Sequence, residues 1–211
     1  MRSSPPLIAT SLALLILAVT GCSETTNGTA APSGAPQSDP TTTPPESGDS
    51  SALPGFGAPP VENALNDTER FQDDPCSVLT AEQLGQLGVP KEGEKRNGST
   101  GSACRWYEQD TSASVDIEWV KANQRGLTGA YANRDNYELF VEMPPIDGNP
   151  VLAYGDDTRD LGDCQVLVGA TDELVFQTAI GQSRSKVGTT DPCEVAHTVA
   201  GMMLETMRGG S

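Results

Sequence analysis

The chain has 211 residues, 36% of them hydrophobic and only 5% aromatic, with 22 Gly and 16 Pro. An ordinary globular chain is richer in apolar side chains, so part of this one is expected to lie outside any packed core. Its 13 Lys and Arg stand against 29 Asp and Glu, a formal charge of −16. No basic cluster is present to neutralise phosphates, which excludes nucleic acid as a partner and also a polybasic attachment to anionic lipid.

Residues 1–21 read as a signal peptide. Arg2 supplies a positive start, and Leu7 to Val19 is an apolar run of 13 residues, short of the roughly 20 that a membrane-spanning helix needs. The run leaves through Val19-Thr20-Gly21-Cys22, which resembles the bacterial lipobox. That resemblance implies cleavage before Cys22 and a thioether-linked diacylglycerol on its sulfur. The mature protein is then expected on the outer face of the cell membrane, anchored to it and not spanning it.

Residues 22–65 are dominated by Ser, Thr, Gly, Ala and Pro, with half of the prolines falling between Pro32 and Pro60. Large apolar side chains are too few to offset the entropy of ordering such a stretch, so a disordered tether is expected. About 40 flexible residues would have an end-to-end distance of roughly 35 Å, holding the folded part away from the membrane in the cell-wall space.

The periodicity of a folded domain runs over residues 66–208. Thr80 and Gln83 form a capping box, predicting a short helix at about 81–87 that stops at Gly88. Ser102 to Tyr107 predicts a strand. Over Ser112 to Lys121, Ala113, Val115, Ile117 and Trp119 alternate with Ser114, Asp116 and Glu118, the signature of a half-exposed antiparallel strand. A helix is expected over Leu127 to Tyr137. Further strands are expected at 138–143, 150–154, 164–170 and 174–180, the last two joined by a hairpin at Thr171-Asp-Glu173. Cys193 to Met207 predicts a closing amphipathic helix with Ala196, Ala200, Met203, Leu204 and Met207 on its buried face. The expected class is α+β, a twisted, mainly antiparallel sheet with helices packed against it.

Setting Cys22 aside leaves Cys76, Cys104, Cys164 and Cys193, an even number in an exported domain, which points to two disulfides with three possible pairings. Zinc is the alternative, but its sites favour close Cys pairs, and here the nearest neighbours are 28 and 29 positions apart. Asp74-Pro75-Cys76 and Asp191-Pro192-Cys193 repeat one tripeptide. Asp as N-cap, Pro at the first helical position and Cys on the first turn make a helix start. Cys104 and Cys164 lie in strand-like segments, so each bridge would staple a helix start to a strand. Local pairing, Cys76–Cys104 and Cys164–Cys193, is preferred.

The lipobox, the Ser/Thr/Pro linker, Asp74-Pro-Cys-Ser-Val-Leu-Thr80 with Leu87-Gly88, Cys104-Arg-Trp106, and Cys164 with Asp191-Pro-Cys193 together resemble a family. It is the mycobacterial-type secreted lipoproteins of unknown function found in actinobacteria. The resemblance covers roughly residues 70–207. It implies a cell-envelope location and local disulfide pairing, and it carries no catalytic residues.

Chemistry-bearing patterns are sparse. His197, the sole histidine, has no nucleophile or orienting acid in its vicinity of sequence and reads as a boundary residue of the last helix. Asp156, Asp157, Asp160 and Asp163 crowd eight positions with Arg159 among them. They lack calcium-loop spacing and read as a solvated turn. Trp106 and Trp119 are expected in the core, Trp106 on the same face as Cys104. No cofactor motif is present. The expectation is a non-enzymatic, membrane-anchored binding module for a small apolar or envelope ligand. A protein-interaction or sensory accessory domain is the alternative, with an acid-dyad hydrolase behind both.

Overall fold

The structure of the protein, a computed structural model, describes residues 52–122 and 124–209. Seven strands form one sheet: β1 (Glu94–Asn97), β2 (Ser102–Tyr107), β3 (Ser114–Val120), β4 (Leu139–Ile146), β5 (Asn149–Gly155), β6 (Asp163–Gly169) and β7 (Val175–Gly181). Every neighbouring pair is antiparallel and the spatial order is β1-β2-β3-β7-β6-β5-β4. Two meanders, β1–β3 and β4–β7, are thus joined edge to edge at β3 and β7. Only the β3–β4 connection crosses over, and it runs across one face of the sheet.

Register decides which side chains meet. Trp119 lies opposite Phe176, which lies opposite Val168. Ile117, Thr178 and Val166 form the next row, and Val115, Ile180 and Cys164 the third. This inner face is buried beneath two groups of helices. Over β6 and β7 lies α4 (Pro192–Met207), presenting Ala196, Val199, Ala200, Met203, Leu204 and Met207, all buried. Over β1–β3 lie α1 (Glu69–Asp73), a 3₁₀ turn at Pro75–Val78 and α2 (Ala81–Leu87). Phe71, Val78 and Leu84 point inward from them. Burying side chains of this size stabilises the fold by about 1.5–3 kcal/mol each. Gln83 joins the two groups, donating to the Met202 carbonyl and accepting from Thr206.

The outer face carries a smaller apolar cluster at one end. Leu152, Leu167 and Val175 are covered there by the crossover, with Leu127, Ala130 and Tyr131 of its α3 region (Thr128–Tyr131). The remainder of this face is polar: Arg105, Asp116, Glu118, Gln165 and Gln177 are all partly exposed.

Several expectations are corrected. The segment expected as one helix over 127–137 is a four-residue helix, α3, followed by a 3₁₀ turn at Arg134–Asn136. Gly129, Asn133 and Asn136 are weak helix formers, and Asn133 leaves the helical region at φ −115°. The final stretch of the expected disordered tether, residues 52–65, lies on the domain. Ala58 and Leu65 are buried, Gly55 N–H donates to Thr128 Oγ1 and Val61 N–H donates to Asp172 Oδ1. Apolar side chains spaced along that stretch cover the ends of β5 and β6 and the α3 region. Elements α1 and β1 have no counterpart in the sequence expectations; β1 is Glu-Lys-Arg-Asn and wholly exposed, so it offers no hydrophobic alternation. The Asp74 side chain caps nothing, and its Pro-Cys sequence opens only a 3₁₀ turn.

Candidate functional site

Two disulfides hold the helices to the sheet. Cys76 is bonded to Cys104 and Cys164 to Cys193, with Cα–Cα separations of 5.2 and 5.1 Å. One ties the 3₁₀ turn to β2, the other ties the first turn of α4 to β6. Closing loops of 28 and 29 residues contributes about 3.5 kcal/mol each in the chain-entropy picture. At the second bridge Asp191 caps α4, its carboxylate accepting from Cys193 N–H at 2.8 Å. Cys22, the expected lipidation site, lies outside the described residues, as does the tether up to residue 51.

The inner helical layer is made of two halves, and they part at one end of the sheet. The C-terminal end of α2 and the N-terminal half of α4 stand on either side of a crevice of about 430 Å³. Its floor is Val115 and Ile180, neighbours across β3 and β7. Its walls are Leu87 and Val89 on one side and Val195 and Val199 on the other, with Ala113 of the β2–β3 hairpin closing one end. The rim is polar: Gln182, Ser183, Lys186 and Thr190 come from the loop between β7 and α4. Lys186 is the single charged side chain of this lining. The volume falls within the range of small-molecule sites, about 300–1,000 Å³. With aliphatic walls, hydroxyls and amides at the mouth and no carboxylate in its lining, it suits an apolar body with a polar or anionic end and offers no acid–base pair.

The side chains singled out from sequence lie elsewhere. His197 is half-buried on α4 with Nε2 2.7 Å from the Pro144 carbonyl, linking the helix to β4. Arg159 grips Asp157 through two contacts, Nε–Oδ1 at 2.7 Å and Nη2–Oδ2 at 2.6 Å. Those hydrogen bonds hold the Asp157 carboxyl below its usual range. The turn that carries this pair, with Asp160, borders a shallow polar hollow against Asp191. Asp163 is shifted the other way, upward, by burial. Among the described residues, no three His, Cys, Asp or Glu side chains come together as metal ligands. Trp106 and Trp119 are fully buried, Trp106 on the inner face with Cys104.

The crevice itself is not legible in the sequence. Val115 reads correctly as inward-facing, and Leu87, Ile180 and Val195 fall within expected elements, but their convergence depends on β7 docking beside β3. Only the lack of any large apolar residue on the first turns of α4 could signal that the helix leaves space there.

Fold and crevice define a disulfide-stapled α+β domain with a single seven-stranded antiparallel sheet and one helical layer on its inner face. The family of proteins of unknown function designated DUF3558 matches residues 17–206, and the chain belongs to it. No curated protein and no solved structure matches the chain. No helix among the described residues is long and apolar enough to cross a membrane.

Proposed function

We propose that the protein is a non-enzymatic binding module of the cell envelope, tethered to the outer face of the membrane through lipid on Cys22, that takes a small apolar or amphiphilic molecule. The observation that carries this reading is the aliphatic crevice in the inner helical layer, between α2 and α4. Burial of an apolar chain against Val115, Ile180, Val195 and Val199 supplies about 25 cal/mol per Å², and Lys186 and Gln182 at the mouth orient the polar end. The Val-Thr-Gly-Cys exit and the Ser/Thr/Pro stretch behind it support the anchored location.

The test is native mass spectrometry on the full exported chain, kept oxidised and extracted in a detergent of known mass. A co-purified mass that leaves on denaturation, and that is missing from the Ala113→Phe variant, supports the reading and gives the ligand class. A parent protein that carries only detergent removes the carrier function and leaves the protein-interaction alternative in front.

A further inference from the structure

The outer face of the sheet holds a second recess, of about 390 Å³ and unlike the first in chemistry. One wall is α3 with Asn133 two residues beyond it; the opposite wall is the tip of the β1–β2 hairpin, Ser99-Thr100. The floor is a connected row of neutral polar groups. The Tyr154 hydroxyl donates to Gln177 Oε1, and Gln177 Nε2 donates to Gln165 Oε1 at 3.0 Å. Each link fixes which end of the next amide is donor and which is acceptor. Burial, with Tyr137 and the Glu118 charge close by, pushes the Tyr154 hydroxyl above its ordinary range, so it remains a neutral donor.

The rest of the lining narrows what could sit there. Glu118 Oε1 accepts from Thr100 N–H, Thr100 Oγ1 and Ser99 Oγ at 2.5, 2.6 and 3.3 Å. This carboxylate is held rigidly at the edge. Neither Lys nor Arg is among the residues that line the recess, and a fixed carboxylate without a cation repels anions. At one end the lining turns apolar through Val120 and Val175, and at Tyr154 it is joined by the Tyr137 ring. Tyr137 meets Tyr154 edge to face, with ring centroids 5.3 Å apart, and stacks on Phe140 at 6.3 Å. Tyr131 adds to the same cluster. Four of the chain's ten aromatic side chains are therefore clustered here, with Tyr137 and Tyr154 lining the recess and Tyr131 and Phe140 packed in the same group.

A ligand fitting this lining is uncharged, dense in groups that both donate and accept hydrogen bonds, and apolar on one face. Hydroxyl groups on a pyranose ring meet the first two conditions, and the C–H face of the ring meets the third against an aromatic or aliphatic wall. We infer that the outer-face recess formed by Tyr154, Gln177, Gln165, Glu118 and Tyr137 is a binding site for a neutral saccharide. It lies across the sheet from the aliphatic crevice and does not depend on it.

The experiment is saturation-transfer NMR on the full oxidised chain in a detergent without a sugar headgroup. The probes are cellobiose and N,N′-diacetylchitobiose at about 10 mM, well above a millimolar dissociation constant. Transfer to the sugar ring protons is expected for at least one of the two. Asn133→Trp, an exposed substitution that blocks the mouth, is expected to bring it to background. Gln177→Leu, which breaks the amide row, should weaken binding about tenfold, the loss typical of one or two well-placed hydrogen bonds. Ala113→Phe in the other crevice should leave it unchanged. Circular dichroism melting confirms that each variant is folded; if Gln177→Leu fails this check, Asn133→Trp decides alone. No transfer to either sugar, or transfer that survives Asn133→Trp, overturns the assignment.

Discussion

The indole N–H of Trp119 donates to the backbone carbonyl of Phe71 over 3.0 Å, inside the core, so the central strand β3 and the first helix are joined by a polar contact as well as by packing. Trp106, buried as deeply on β2, finds no acceptor for its own N–H among the described residues. Its edge lies instead against Gly93. The two tryptophans therefore answer differently to the same substitution. Trp119→Phe removes volume and leaves a buried carbonyl unpaired, a combined cost of about 3–4 kcal/mol. Trp106→Phe removes volume but also an unpaired donor, and should cost about 1–2 kcal/mol. Urea unfolding of both variants measures the difference, and equal costs would show that the Phe71 contact adds nothing.

Gly93 is the reason the Trp106 edge can sit where it does. A Cβ at this position would come within 2.4 Å of Cys104 Sγ and 2.7 Å of Trp106 Nε1, and neither atom can retreat, one being bonded to Cys76 and the other packed in the core. Gly93→Ala should therefore lower stability by about 2–3 kcal/mol, the usual range for overpacking. Gly85 is the control. It sits inside α2, where an added methyl group would meet nothing within 4 Å, so Gly85→Ala should raise stability by about 0.5–1 kcal/mol through helix propensity alone. Opposite shifts in melting temperature for the two variants are the expected result.

Two copies of Asp-Pro-Cys occur in the chain, but only one caps a helix through its side chain. The Asp191 carboxylate accepts from Cys193 N–H, whereas Asp74 makes no side-chain cap and has ψ near 78°. Asp191→Ala should cost about 1 kcal/mol, and Asp74→Ala only a few tenths. Chemical unfolding of the two single variants checks this, and a similar loss in both would restore the symmetry that the sequence suggests.

That tripeptide shows where sequence reasoning stops. Local signals suffice for α2, whose capping box closes through Thr80 and Gln83, and for β3, whose alternation is preserved residue by residue in its burial. Both express the period of a single element. The same logic fails for β1, where every side chain is exposed, and for 127–137, where crossing the outer face overrides a helical pattern. The order β1-β2-β3-β7-β6-β5-β4 is not legible, because nothing within β3 or β7 specifies the other as its neighbour. Both candidate sites depend on that pairing: Val115 with Ile180 below one, Glu118 with Gln177 below the other. Their lining residues read as strand faces, inner or outer, without any indication of which faces would be joined.

Asp116 sets two effects against each other on the outer face. Arg96 reaches its Oδ1 at 2.5 Å and Arg105 its Oδ2 at 3.8 Å, and both arginines favour the charged carboxylate. Burial opposes them and prevails, so the carboxyl titrates above its ordinary value of 3.8. A raised carboxylate pKa means that the folded protein binds this proton more tightly than the unfolded chain does. The resulting stabilisation is present at low pH and is lost as pH rises from the unfolded value through the folded one. Asp116→Asn has no such dependence. Measured by urea unfolding at about pH 3.5, 5 and 7, the variant should therefore gain on the parent protein as pH rises. The Asp157–Arg159 pair, which acts in the opposite sense, is common to both proteins and cancels in the difference. If the parent gains instead, the two arginines outweigh burial, and Asp116 is an ion-pair anchor for the edge strand β1.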